Sequence, residues 1–225
     1  MNIILQHMDG ELRPLDKLSM RNMRQYAEMV GAKYELVLGR PFRKHLTGAC
    51  QKVHMLDEKY DEYDQVLMVD IDMFAPKGMT ENVFDLQGVG LYADTQAMLH
   101  RKIVAHNPMF ASAKHAYWGG AIYKMNKSLR QKLRRHLGGN ESWMSPYNKA
   151  YQFEDEGIMH SLAVLSGILH TKEQYLHRKW CQYSFLQNPE NAGFIHVRTK
   201  VTPTGPKRDK MDNYNALVAE GILAA

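Results

Sequence analysis

A chain of 225 residues, 44% hydrophobic and 24% charged, is long enough to bury one generous globular core and too apolar to stay disordered. Its formal charge of +5 suits an anionic small molecule as well as a nucleic acid, but no dense Lys/Arg run interleaved with aromatics occurs, which speaks against an extended nucleic-acid groove. Cys50 and Cys181 form no CxxC pair or disulfide framework, and no apolar stretch approaches the roughly 20 residues that span a bilayer.

The opening, MNIILQHMDGELRP, has a short apolar run without the basic lead of a signal peptide, so a soluble, cytoplasmic protein with reduced thiols is expected. NIIL reads as a first strand, and SMRNMRQYAEMVG as a helix with Ser19 as N-cap and Gly31 just past its end. AKYELVL is a second strand. GACQKVHMLDEKYDEY is a second helix, with Val53 and Leu56 in its apolar stripe, and QVLMVD is a third strand. Strands alternating with helices argue for βαβ units on a parallel sheet. The continuously apolar run 66–69 reads as a strand covered on both faces. Further on, GVGLYAD and HAYWGGAIYKM read as strands. KSLRQKLRRHLGG reads as a helix with Leu129, Leu133 and Leu137 on one stripe and Gly138 as its stop. EDEGIMHSLAVLSGIL is a helix opened by three acids, AGFIHVRTK a short late strand, and VTPTGPKRDKMDN a loop or mobile tail. Fifteen methionines read as adaptable core fillers.

The third strand ends in Asp70 and Asp72. In open α/β sheets ligands bind beyond the carboxyl ends of the strands. Positions two apart on a strand face the same way, so both carboxylates reach one point while Ile71 turns back to the core. Two hard oxygen donors at one point suit Mg²⁺ or Mn²⁺, which accept one or two carboxylates together with waters and substrate phosphates. The plain alternative is a solvated turn, since short motifs recur by chance.

YDQVLMVDIDMF resembles the D-x-D segment of the GT-A glycosyltransferases, in which a Tyr-Asp pair, a hydrophobic strand and D-x-D follow in this order. RNMRQYAEMVGAKYELV is similar to their first helix and second strand. HAYWGGAIYKMNKSL resembles the later segment whose glycines line the sugar pocket, and FEDEGIMHSL the acidic helix start that follows it. The resemblance implies an α/β GT-A fold: a single Rossmann-like domain over 1–200, with a central, mostly parallel sheet flanked by helices, and a C-terminal loop or tail over 201–225 that serves as a donor-site lid. It implies metal-dependent transfer of a sugar from a nucleotide-diphosphate sugar, UDP-sugar favoured, to a hydroxyl acceptor such as a glycan. Asp70, Ile71 and Asp72 would then meet the donor, with both carboxylates holding Mn²⁺ or Mg²⁺ against its diphosphate. A cation there stabilises the leaving nucleoside diphosphate.

The remaining candidates come partly from the same resemblance and partly from place in the chain, most of them beside a plainer role. Glu154, Asp155 and Glu156 open a helix, where acids favour the dipole by roughly 0.3–1 kcal/mol each. The resemblance places Asp155 or Glu156 at the sugar, with Asp155 preferred as the base that takes the acceptor's proton; inversion and retention stay open. His196 stands where many GT-A enzymes have a late histidine on the metal, although the glycine- and proline-containing signature around that ligand is missing; a satisfied strand histidine is the alternative. Arg198 and Lys200 are diphosphate candidates. Gly119 and Gly120 would let the backbone approach a sugar, and Trp118 would stack on it or pack in the core. Gln6, His7 and Asp9 meet the base or ribose by topology alone. Lys52 is a phosphate contact or a solvated helix lysine, and the basic helix KSLRQKLRRH a solvated face or a contact to an anionic acceptor or membrane surface. Two rival readings remain. A haloacid-dehalogenase-type phosphatase also uses D-x-D, but Met73 stands where Thr or Val normally follows, and the pair comes after a βαβα unit. A non-catalytic nucleotide-sugar or carbohydrate-binding module would not need the intact acidic cluster.

Overall fold

The computed structural model describes residues 1–92, 112–138, 154–184, 189–199 and 209–225. In chain order the elements are β1 (Asn2–Met8), α1 (Pro14–Met29), β2 (Lys33–Leu38), β3 (Gln65–Val69), β4 (Met73–Phe74), β5 (Gly90–Tyr92), β6 (Trp118–Asn126), α2 (Lys127–Arg134), α3 (Glu154–Leu165), β7 (Tyr175–Leu176), β8 (Gln182–Tyr183), β9 (Ile195–His196) and α4 (Lys210–Ala219). The main sheet runs β2-β1-β3-β6-β5-β7. Strands β2, β1 and β3 are parallel, β6 is antiparallel to both of its neighbours, and β5 and β7 are parallel again. The architecture is therefore the expected α/β fold with a mostly parallel central sheet flanked by helices.

The apolar run of β3 is covered on both faces. Val66 and Met68 enter a core beneath α3 and the segment 49–56; Leu67 and Val69 enter the opposite core beneath α1. A second, small sheet, β4-β9-β8, brings the late strand β9 back beside the residues that follow β3. Its register pairs Met73 with His196, and this pairing later places a histidine next to Asp72.

Three local readings change. Helix α1 starts at Pro14, not at Ser19: proline occupies the first turn, where its missing N–H is no loss, and Asp16 accepts from the Arg13 main chain and guanidinium. Ser19 is instead buried, its hydroxyl donating to the Met73 carbonyl oxygen (2.6 Å). The segment Ala49–Leu56 is wound as 3-10 turns, with Val53 and Leu56 buried as expected but with Cys50, Gln51, Lys52 and Met55 buried too. A single apolar stripe does not describe a segment wrapped on several sides. The C-terminal basic stretch is helical from Lys210, capped by Asp209, which accepts from the Asp212 N–H. Tyr214 and Leu217 of α4 pack with Leu15, Phe74 and Ile195 in a third core. No helix among the described residues is long and apolar enough to cross a membrane.

Candidate active site

The carboxyl end of β3 opens into a cavity of about 540 Å³. Strand β3 ends at Val69, and 70–72 form a turn closed by the Met73 N–H on the Asp70 carbonyl oxygen (3.2 Å). The two carboxylates thus converge by a turn, not by strand alternation. Ile71 does not return to the core; it is half-buried and lines the cavity. The turn is pinned from below. The Asp70 carbonyl accepts from the Gln6 amide (3.0 Å), and the Asp72 carbonyl accepts from the Val197 N–H (2.9 Å).

His196 arrives by the β4–β9 register. Its Nε2 lies 3.0 Å from Asp72 Oδ1 and 3.6 Å from Asp70 Oδ2. One ligand atom from each of the three side chains lies within 4.8 Å of the other two. Two carboxylates and an imidazole are a fitting donor set for Mn²⁺ or Mg²⁺. Lys210, from the first turn of α4, donates to Asp72 Oδ2. Burial alone would raise Asp72, but the hydrogen bonds and charges of His196 and Lys210 outweigh it, and its carboxyl sits well below the usual range. The His196 Nδ1 lies 3.8 Å from the buried Cys181 thiol, which holds the ring from behind.

A second acidic centre faces the first. Lys52 is buried, and its ammonium bridges the two, at 2.9 Å from Asp70 Oδ1 and 2.8 Å from Asp155 Oδ2, while also donating to the Gly120 carbonyl oxygen (2.5 Å). Burial alone would lower the lysine, but Asp155 and Asp70 turn the balance upward, so it stays charged. Asp155 also accepts from the Tyr123 hydroxyl (3.0 Å); its burial pushes its carboxyl up against the opposing pull of Lys52. Glu156 accepts from the Gly120 N–H (2.6 Å), and burial lifts it to about 7. Gly120 allows this approach: a Cβ there would lie 2.5 Å from Asp155 Oδ2 and 3.0 Å from Glu156 Cγ.

Most of the sequence candidates line this one cavity: His7, Asp9, Lys52, Asp70, Ile71, Asp72, Gly120, Asp155, Glu156, His196 and Arg198. His7 is turned toward the Gly39 carbonyl (2.6 Å), and Asp9 is paired with Arg40 (2.7 Å). Gln6 does not line it. Fully buried, its amide is spent between Ser19 (2.9 Å), the Asp70 carbonyl and the Tyr34 hydroxyl (2.9 Å), so it supports the Asp70–Asp72 turn from beneath. Gly119 is not on the cavity wall, its Cβ direction facing Leu91, and Trp118 is fully buried in the core, unavailable for stacking. Lys200 lies outside the described residues. Lys52 is not a solvated helix lysine, and the basic helix is a solvated face only in part: Lys127 and Lys132 are exposed, but Arg130 donates inward to Met125, Tyr60 and Tyr63 carbonyls, and Arg134 pairs with Asp61 (2.7 Å). Lys210 and Tyr183, which also line the cavity, were not singled out in the sequence. For Lys210 a signal existed, in the N-cap sequence Asp209–Asp212 that starts a helix with a lysine at its mouth.

No family model matches the chain, and no curated protein sequence matches it. Solved structures do match along its length. A crystal structure of a glycosyltransferase involved in the glycosylation of the major capsid of PBCV-1 is 11% identical, with a TM-score of 0.53 over 96% of this chain and 98% of that one. The galactosyltransferase LgtC, in complex with donor and acceptor sugar analogs, is 14% identical, with a TM-score of 0.55 over 100% of this chain and 97% of that one. At such identities the likeness is one of fold: the chain has the GT-A architecture of these enzymes.

Proposed function

We propose that this chain is a metal-dependent glycosyltransferase that moves a sugar from a nucleotide-diphosphate sugar, a UDP-sugar in the first instance, to a hydroxyl acceptor such as a glycan. The observation that carries the reading is the convergence of Asp70, Asp72 and His196 on one point of a cavity whose other wall is Asp155 and Glu156. In the reaction the bond from anomeric carbon to phosphate oxygen breaks and its electron pair leaves with the diphosphate. The acceptor oxygen bonds to the anomeric carbon, and its proton passes to a protein carboxylate.

Asp70, Asp72 and His196 would hold the divalent cation, which supplies Lewis-acid stabilisation of the departing diphosphate. Lys210 and Arg198 add fixed positive charge on the same side of the cavity, where the diphosphate would lie. The C-terminal segment would thereby act as the donor-site lid, through Lys210. Lys52 holds Asp70 and Asp155 at a set separation. Of the two acids at the start of α3, Glu156 is the better proton acceptor: it is close to half-ionised near neutrality, whereas Asp155 is committed to Lys52 and Tyr123. The phosphatase and non-catalytic readings draw no support from the fold likeness.

Thermal shift with UDP-, GDP- and dTDP-sugars, each with and without Mn²⁺, tests the proposal. One donor is expected to raise the melting temperature, and only with the metal present. No shift with any donor would overturn it.

A further inference from the structure

At the other end of β6 lies a second cavity, of about 760 Å³. Gly120, at the start of β6, belongs to the active-site cavity, whereas Lys124 and Asn126, near its end, belong to this one. Asn126 lies six steps along the strand from Gly120, about 20 Å at 3.3 Å per residue. No described residue lines both cavities.

Among the described residues, two polar groups in this wall lack the partners their chemistry calls for. Lys124 is only 4% exposed, and its ammonium donates to the Leu86 carbonyl oxygen, with no carboxylate of the described residues in an ion pair with it. Burial lowers the Lys124 ammonium to about 8, with Asp85 opposing from a distance. Glu173, on the rim, is exposed and makes no ion pair with it among the described residues. The second group is Gln174, whose Oε1 is shielded from solvent and accepts no hydrogen bond from the described residues. An isolated buried cation calls for an anion, and an orphaned amide oxygen calls for an O–H or N–H donor. The surroundings suit a hydroxylated molecule: Gln87, Ser128 and Thr171 contribute amide and hydroxyl groups, and Lys132 adds positive charge at the edge. The cavity floor is shaped by Gly88, which adopts φ +100° and has no room for a side chain, since a Cβ would lie 2.6 Å from the Tyr175 carbonyl carbon.

We infer that this cavity is a second binding site, separate from the active site, for an anionic sugar: a uronate or a phosphorylated sugar whose negative group meets Lys124 and whose hydroxyls meet Gln174 and its neighbours. The inference stands whether or not the transferase reading holds, because it uses none of the residues of that site.

Calorimetric titration of the full chain with glucuronate, glucose 6-phosphate, glucose and inorganic phosphate tests it. Glucuronate or glucose 6-phosphate is expected to bind saturably, one per chain, with glucose and inorganic phosphate each at least about tenfold weaker. Which of the two acids binds better identifies carboxylate or phosphate as the group read. Lys124→Met should weaken the preferred acid at least about tenfold, while Asp72→Ala leaves its affinity unchanged. Should Lys124→Met fail to fold, the unaltered chain gives the same information: the preferred acid should protect Lys124 from acetylation by an N-hydroxysuccinimide ester, read by peptide mass spectrometry. The inference is overturned if neither acid binds, if inorganic phosphate binds as tightly as glucose 6-phosphate, if binding is lost in Asp72→Ala instead, or if Lys124 is acetylated equally fast with the acid bound.

Discussion

Asp72 and Glu156 line one cavity, the first buried and the second half-buried, yet they hold their protons in opposite ways. Asp72 meets the His196 ring and the Lys210 ammonium, and is held ionised far below the usual range. Glu156 accepts from the Gly120 N–H and makes no ion pair among the described residues, so desolvation wins and it titrates near 7. The residue type does not assign the role; the charge placed opposite it does. A carboxylate that stays ionised suits a cation site, and one poised near neutrality suits proton transfer. Lys52 stands between the two centres and keeps them distinct, taking one oxygen from each.

The largest way to break this arrangement is Lys52→Met. It leaves Asp155 buried without its counter-charge, and loss of one partner of a buried pair costs about 3–5 kcal/mol. Urea unfolding at neutral pH should show a loss of this order, shrinking as the pH falls and Asp155 takes up a proton. An unchanged midpoint would mean that Lys52 does not carry the balance.

The pH dependence of stability separates the two centres next. Glu156 has a folded value of about 7 against 4.5 for an unperturbed glutamate. Below the unfolded value both states are protonated and nothing is lost. Between 4.5 and 7 the unfolded chain ionises first, so stability falls as pH rises, by up to about 3 kcal/mol in full above 7. Asp72 runs the other way: its depressed folded value adds stability above the unfolded value of 3.8, which is lost as the pH falls toward the folded one. Glu156→Gln should therefore flatten the decline between pH 4.5 and 7 in urea titrations, and Asp72→Asn should leave that decline in place. A decline that persists in Glu156→Gln would contradict the assignment.

A smaller effect comes from Gly120→Ala. Its Cβ would press on Asp155 Oδ2 at 2.5 Å and on Glu156 Cγ at 3.0 Å. Overpacking of this kind costs about 1–3 kcal/mol. The melting temperature should fall, and the apparent titration of Glu156 should move as its bond to the Gly120 N–H is displaced.

What the sequence made legible was local. The run 66–69 followed by two aspartates is contiguous, so strand, strand end and paired charge could be read together. The acids at 154–156 open a helix for ordinary dipole reasons, which marked their place but not which of them faces the cavity. The expectation for His196 rested on resemblance; its position was built by a two-residue pairing across the chain, Met73 with His196, too short to leave a periodic signal. Lys210 is 138 residues from Asp72, and such a contact cannot be read from spacing. Gln6 shows the reverse error. Topology put it near the site correctly, but only the hydrogen bonds to Ser19, Asp70 and Tyr34 show that its amide is already consumed. The reversed strand β6 escaped for a similar reason: a nine-residue strand reads alike in either direction, and its sense depends on connections made elsewhere.

The most direct test of the account is slow hydrolysis of the preferred nucleotide-sugar by the unaltered chain and by Asp72→Ala, each titrated with Mn²⁺. The account predicts hydrolysis that rises with Mn²⁺ in the unaltered chain and falls at least about a hundredfold in the variant, with the metal dependence gone. Hydrolysis that continues at the same rate in Asp72→Ala, with the same response to Mn²⁺, would contradict it.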